Sequence, residues 1–179
     1  PVDPASPPTE IRYPAAGTAN AQVDLAIVGL DGSRVEVGWA TGGWEYLARA
    51  AWTDDGLILV VQSRDQKALA VLDVDPATGS CTERYRQIDE HWVELVPGAP
   101  RLHGGRLVTV EDRGPARVVC VDGEPVSPPD VQIRRVVHTD DRGVLVLASP
   151  DAPSASSSAR SGPPRSTWPG WAGRARSTG

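Results

Sequence analysis

The chain has 179 residues, of which 18 are basic and 23 acidic, for a formal net charge of −5, with 40% apolar and 23% charged residues. That length suits one domain. The longest apolar runs, at 56–61 and 144–148, fall far below the roughly 18–20 residues a membrane helix needs, and the basic side chains are scattered, so neither a bilayer span nor nucleic-acid binding is expected.

Taken in chain order, residues 1–21 read as an extended, Pro-rich lead-in. Alternating or β-branched runs then occur at 23–30, 35–39, 46–52, 57–63, 68–74, 81–88, 92–96, 106–111, 116–121, 131–137 and 144–148, with turn residues between them. No window carries an uninterrupted helical apolar stripe, so residues 22–149 are expected to be all-β. Asp75-Pro76-Ala77-Thr78-Gly79 reads as a tight hairpin turn, Pro presetting φ and Gly accepting a positive one.

The composition changes at Pro150. The last 30 residues contain seven Ser, five Pro, five Ala, four Gly and four Arg, with Asp151 as the only acid and no Ile, Leu or Val. Such a segment cannot bury a core, and 150–179 is expected to be disordered. It suits equally an out-of-frame reading of GC-rich DNA and a Pro/Ser-rich linker. The body without it carries 14 basic and 22 acidic residues, so body and tail differ in sign.

A weak internal repeat selects among all-β folds. Thr53-Asp54-Asp55-Gly56-Leu57-Ile58-Leu59-Val60 returns as Thr139-Asp140-Asp141-Arg142-Gly143-Val144-Leu145-Val146, with Leu102-His103-Gly104-Gly105-Arg106-Leu107-Val108 between them. The offset of 86 residues is twice 43, a blade period for a β-propeller of four-stranded sheets. The expected fold is a partial β-propeller of about three four-stranded antiparallel blades; strand spacing alone would also suit a β-sandwich.

Candidate chemistry is sparse. His91, His103 and His138 lie far apart without a His-Glu-x-x-His or Cys-x-x-Cys companion, so no metal and no cofactor is expected. Cys81 and Cys120 allow at most one disulfide. Asp73 and Asp75 read as strand-edge and turn residues rather than calcium ligands. Ser33, Ser63 and Ser80 each lie near a turn with no positioned His-Asp pair legible. With no Phe in the chain, Trp39, Trp44, Trp52 and Trp92 are expected as core and inter-blade filler rather than as a carbohydrate platform. The absence of Met and the opening at Pro1 suggest a segment of a longer protein; of the compartments, the cytoplasm is favoured.

Several strings resemble, in order, the N-terminal propeller of dipeptidyl peptidase IV-like serine peptidases, of the prolyl oligopeptidase superfamily. They are Arg12-Tyr13-Pro14-Ala15-Ala16-Gly17-Thr18-Ala19-Asn20-Ala21, Tyr46-Leu47-Ala48-Arg49 through Trp52-Thr53, Val61-Gln62-Ser63-Arg64-Asp65-Gln66, Val74-Asp75-Pro76-Ala77-Thr78-Gly79 and Trp92-Val93. The resemblance covers about residues 1–151 and implies roughly the second half of that propeller, which in the family sits over an α/β-hydrolase domain. That family releases dipeptides, often ending in Pro or Ala, through an activated Ser in a Gly-x-Ser-x-Gly elbow. This chain contains neither that elbow nor the Glu-Glu pair with which the family grips a substrate's amino terminus. The implied role is therefore a non-catalytic propeller segment shaping substrate access, with no catalytic residue of its own. Its implied partners are peptide substrates, a hydrolase domain and, through unpaired strand edges, further copies of itself. Trp92-Val93-Glu94-Leu95-Val96-Pro97 is similar to a family segment that walls the substrate pocket, which marks Trp92, Val93 and Leu95, although the Arg of that segment has no counterpart. The alternative of another class is a stand-alone β-propeller module that binds a peptide or protein.

Overall fold

The computed structural model describes residues 18–149, and among these every regular element is a strand. The expected tail at 150–179 lies outside the described residues, as does most of the lead-in at 1–21. The chain first makes a small antiparallel ribbon from β1 (Ala26–Val28) and β2 (Arg34–Glu36). Its turn closes through the Gly29 N–H on the Ser33 carbonyl, with the Asp31 carboxylate accepting the Ser33 N–H.

A complete four-stranded meander follows: β3 (Tyr46–Thr53), β4 (Gly56–Gln62), β5 (Ala68–Val74) and β6 (Cys81–Ile88), each antiparallel to the next. Its turns follow from their side chains. The Thr53 hydroxyl bonds the Gly56 carbonyl and accepts the Asp55 N–H, which folds the β3–β4 hairpin. Asp75 accepts from the Ala77 N–H and the Thr78 hydroxyl, and Gly79 at φ 72° completes the expected β5–β6 turn.

A second meander comprises β7 (Arg101–His103), β8 (Arg106–Arg113), β9 (Ala116–Val121) and a two-residue β10 (Glu124–Pro125). The hairpin of β11 (Gln132–Asp140) and β12 (Gly143–Ser149) opens a third unit, linked to β9 by one parallel pairing of Gln132 with Arg117. The arrangement is a partial β-propeller, all-β as the patterning predicts, with no closed sheet among the described residues. The three repeated sequence units are the β3–β4, β7–β8 and β11–β12 hairpins, so the repeat marks the first hairpin of successive blades. The blades are unequal: one complete, one with a vestigial last strand, one described through two strands.

Packing explains the continuous apolar runs. β4 lies inside its sheet with both faces covered, so alternation disappears: Ile58, Leu59, Val60 and Val61 are all at most 1% exposed. Leu57, Leu59 and Val61 join Val37, Trp39 and Trp44 on one side, while Ile58 and Val60 meet Leu102 and Leu107 of the second blade on the other. A third layer, Val108, Val110 and Val119 against Ile133, Val136 and Val144, joins the second blade to the third. Burial of each such side chain contributes about 1.5–3 kcal/mol.

Two expectations change. Residues 92–96 form no strand, because the Asp89 carboxylate takes the backbone N–H groups of His91 and Trp92 and turns the chain before Pro97 and Gly98. Trp52 and Trp92 are each 64% exposed, whereas Trp39 and Trp44 are buried, so only half of the expected indole filler is core. β7 and β10 escape the patterning because three and two residues are too short to show a period.

Candidate functional site

The string similar to the family's pocket-wall segment lies in the connection from β6 to β7, residues 89–100, and three independent holds fix that connection. From the first blade, the Val93 N–H donates to the Gln66 carbonyl at 2.8 Å and the buried Gln62 Nε2 donates to the Val93 carbonyl at 3.1 Å. Gln66 itself takes φ 57°, the left-handed conformation that turns its carbonyl into position. From the second blade, Arg117 donates to Glu94 at 2.6 Å and to Asp112 at 2.8 Å. These carboxylates raise the Arg117 pKa, Asp112 contributing most, against the opposing effect of burial. From the third blade, the Val136 N–H donates to the Pro97 carbonyl at 3.0 Å. Next to it Gly98, at φ 81°, passes so close that a Cβ would stand 1.9 Å from the Val136 carbonyl oxygen.

The three residues marked by the resemblance part company on this segment. Val93 is 3% exposed and belongs to the core layer between the first and second blades. Trp92 and Leu95 point outward, 64% and 39% exposed. The segment thus anchors through Val93 and Val96 and presents Trp92 and Leu95, a two-faced arrangement that the letters alone do not show.

Behind it stands Arg49, on β3, whose Nη1 donates to the Ala99 carbonyl at 3.0 Å and the Pro100 carbonyl at 3.5 Å. Partial burial lowers its pKa, and no carboxylate pairs with it. Sequence reading missed Arg49 and Arg117 as supports; a long-range partner leaves no local trace. The blades are further joined by Tyr85 on β6, which donates to Glu111 on β8 at 2.8 Å. Glu111 also accepts from Thr109 and from both Nε and Nη2 of Arg113. Although burial alone would raise the Glu111 pKa, these donors together hold it below the ordinary value. Cys120 lies buried nearby with its thiol pushed up to about 11, chiefly by desolvation.

The remaining candidates have structural partners. The Ser63 hydroxyl bonds Asp65 and accepts the Ala68 N–H, while that of Ser80 lies 2.9 Å from the Thr78 hydroxyl. Among the described residues His103 meets Asp141 at 3.0 Å, His91 meets Glu90, and no group of three His, Cys, Asp or Glu side chains is placed to hold a metal. Cys81 and Cys120 are both free thiols. An open groove of about 740 Å³ lies between the β1–β2 ribbon and the Thr78–Ser80 turn, floored by Leu25, Val37 and Trp39, away from the Trp92 segment. No helix among the described residues is long and apolar enough to cross a membrane.

Successive meanders packed face to face, with a buttressed connection between them, define a propeller arc. The family model for the dipeptidyl peptidase IV N-terminal region matches residues 3–130. The chain belongs to that family. Its fold is also similar to the crystal structure of a Bacteroides ovatus protein assigned as a dipeptidyl aminopeptidase IV, with a TM-score of 0.60 at 16% identity over 77% of this chain. The chain corresponds to 24% of the length of that protein.

Proposed function

We propose that the chain is the access-shaping propeller part of a dipeptidyl peptidase IV-like serine exopeptidase, working with an α/β-hydrolase domain on peptide substrates. The family match over residues 3–130 carries this reading. Within it, Trp92 and Leu95 form part of the wall past which a peptide reaches the hydrolytic centre, and Val93 holds that wall to the first blade. The blades occupy residues 22–149, between the lead-in at 1–21 and the tail at 150–179. Peptide hydrolysis needs a Ser nucleophile, a His base and an orienting Asp, and the loss of any one costs orders of magnitude in turnover.

Co-expression with the product of the reading frame downstream of its gene tests the proposal. Turnover of a Gly-Pro chromogenic amide is expected from the pair and not from the chain alone. Turnover by the isolated chain, with labelling of one of its serines by a fluorophosphonate, would assign it its own catalytic centre. A downstream frame without a hydrolase, combined with a monodisperse and cooperatively melting chain, would favour a stand-alone binding module.

A further inference from the structure

The arginines divide by position. Of the twelve in the described residues, eight hold a carboxylate, and these lie on later strands, on β2 or in turns. The four that hold none are Arg49, Arg101, Arg134 and Arg135, and they are the arginines of β3, β7 and β11, the first strand of each blade. Arg49 bonds only backbone carbonyls, and Arg134 reaches only the Ser149 hydroxyl at 3.4 Å.

The first strands are neighbours. Arg49 on β3 bonds the carbonyl of Pro100, the residue before Arg101 on β7, and His103 at the end of β7 meets Asp141 in the β11–β12 turn. The turn carboxylate of Asp55 likewise accepts the Gly105 N–H of the next hairpin. β3 and β7 stand at the edges of their sheets, and β11 is paired along its length only with β12. Along the three strands the sole acid is Asp140, at the end of β11, and Arg142 holds it. Among the described residues, every arginine without a carboxylate thus lies on this set of first strands, in a chain of net charge −5.

We infer that these first strands form a cationic lining that binds the carboxylates of acidic peptides. The inference rests on the peptidase reading above and specifies its substrate class. A guanidinium is planar and always charged, and its fork of donors matches a carboxylate. Arg49 and Arg101, both half-buried, supply the part on the first two blades, and the exposed Arg134 and Arg135 extend it to the third. A nucleic acid is the poorer occupant, since four arginines supply few of the phosphate contacts on which such binding rests.

The test is fluorescence anisotropy of the whole 179-residue chain with fluorescein-labelled hexaglutamate, hexaglutamine, hexalysine and a short oligothymidine. Hexaglutamate is expected to bind more tightly than the others and to be released by high salt. Arg49→Gln with Arg101→Gln should weaken it on the order of tenfold, while Arg34→Gln with Arg106→Gln, at exposed paired sites, should leave it unchanged. Equal binding of hexaglutamate and hexaglutamine, preference for oligothymidine, or indifference to the first double substitution would overturn the inference. Should that double variant fail to fold by circular dichroism, the glutamate–glutamine comparison and the salt titration on the unaltered chain decide. Acidic-peptide binding without turnover in the co-expression experiment would overturn the peptidase reading alone. Turnover without glutamate preference would overturn only the lining.

Discussion

Tyr85 and Glu111 meet across the boundary between two blades: the phenol of β6 donates at 2.8 Å to a carboxylate of β8 that Arg113 and Thr109 already hold. Hydrogen bonds to charged acceptors are worth about 1.5–3 kcal/mol, more than neutral ones. Tyr85→Phe removes the donor and keeps the ring, so it isolates the bond from the packing. A stability loss of about 1.5–2 kcal/mol is expected, read as a lower urea midpoint at unchanged m. An unchanged midpoint would show that the bond does not couple the blades.

Glu111 makes stability depend on pH in a defined direction. Its folded pKa lies below the ordinary value because Tyr85, Arg113 and Thr109 outweigh its burial. Its contribution is present above the unfolded pKa and is lost as pH falls through the folded one. The melting temperature of the chain should therefore fall on acidification below about pH 4.5, the unperturbed glutamate range. Glu111→Gln should lie below it at pH 7 and show a shallower decline; parallel curves would remove Glu111 from the acid response.

Gly98 is irreplaceable for two additive reasons. Its φ of 81° disfavours any side chain, and a Cβ would come within 1.9 Å of the Val136 carbonyl oxygen, a backbone atom that cannot step aside. Gly98→Ala should cost more than the roughly 1 kcal/mol of left-handed strain alone, since the Pro97–Val136 bond must also open. Thermal melting checks this, with Gly104→Ala as the comparison: that residue also has a positive φ, 57°, but nothing within 4 Å of a new Cβ.

Arg117 bridges Glu94 of the connecting segment and Asp112 of β8 with its side chain only 19% exposed. Arg117→Met keeps the stem and removes the fork. Amide exchange should quicken at residues 92–96 while Ile58–Val61 of β4 stays protected, because the core beneath does not depend on this ion pair. Unchanged exchange at 92–96 would leave Gln62 and Gln66 as sufficient holds.

The all-β class, the hairpin positions and the β4 and β8 runs were readable because each rests on local chemistry. Asp/Gly turns set the hairpins, and a strand covered on both faces needs apolar residues at every position. The resemblance lay in strings such as Tyr46-Leu47-Ala48-Arg49, also local. The sequence alone thus determined an all-β chain of repeated hairpins and pointed to Trp92-Val93 as a segment of interest. Only tertiary structure separated Val93, buried between blades, from Trp92 and Leu95 beside it, because the segment is not a strand and no alternation governs it. It also decided which arginines stand without a carboxylate. Arg117 and Asp112 are five residues apart, but Arg117 and Glu94 are 23 apart and Arg49 and Ala99 are 50 apart. Pairings at that separation are set by how one blade packs upon the next, which is a property of the assembled layers and not of any local stretch of chain.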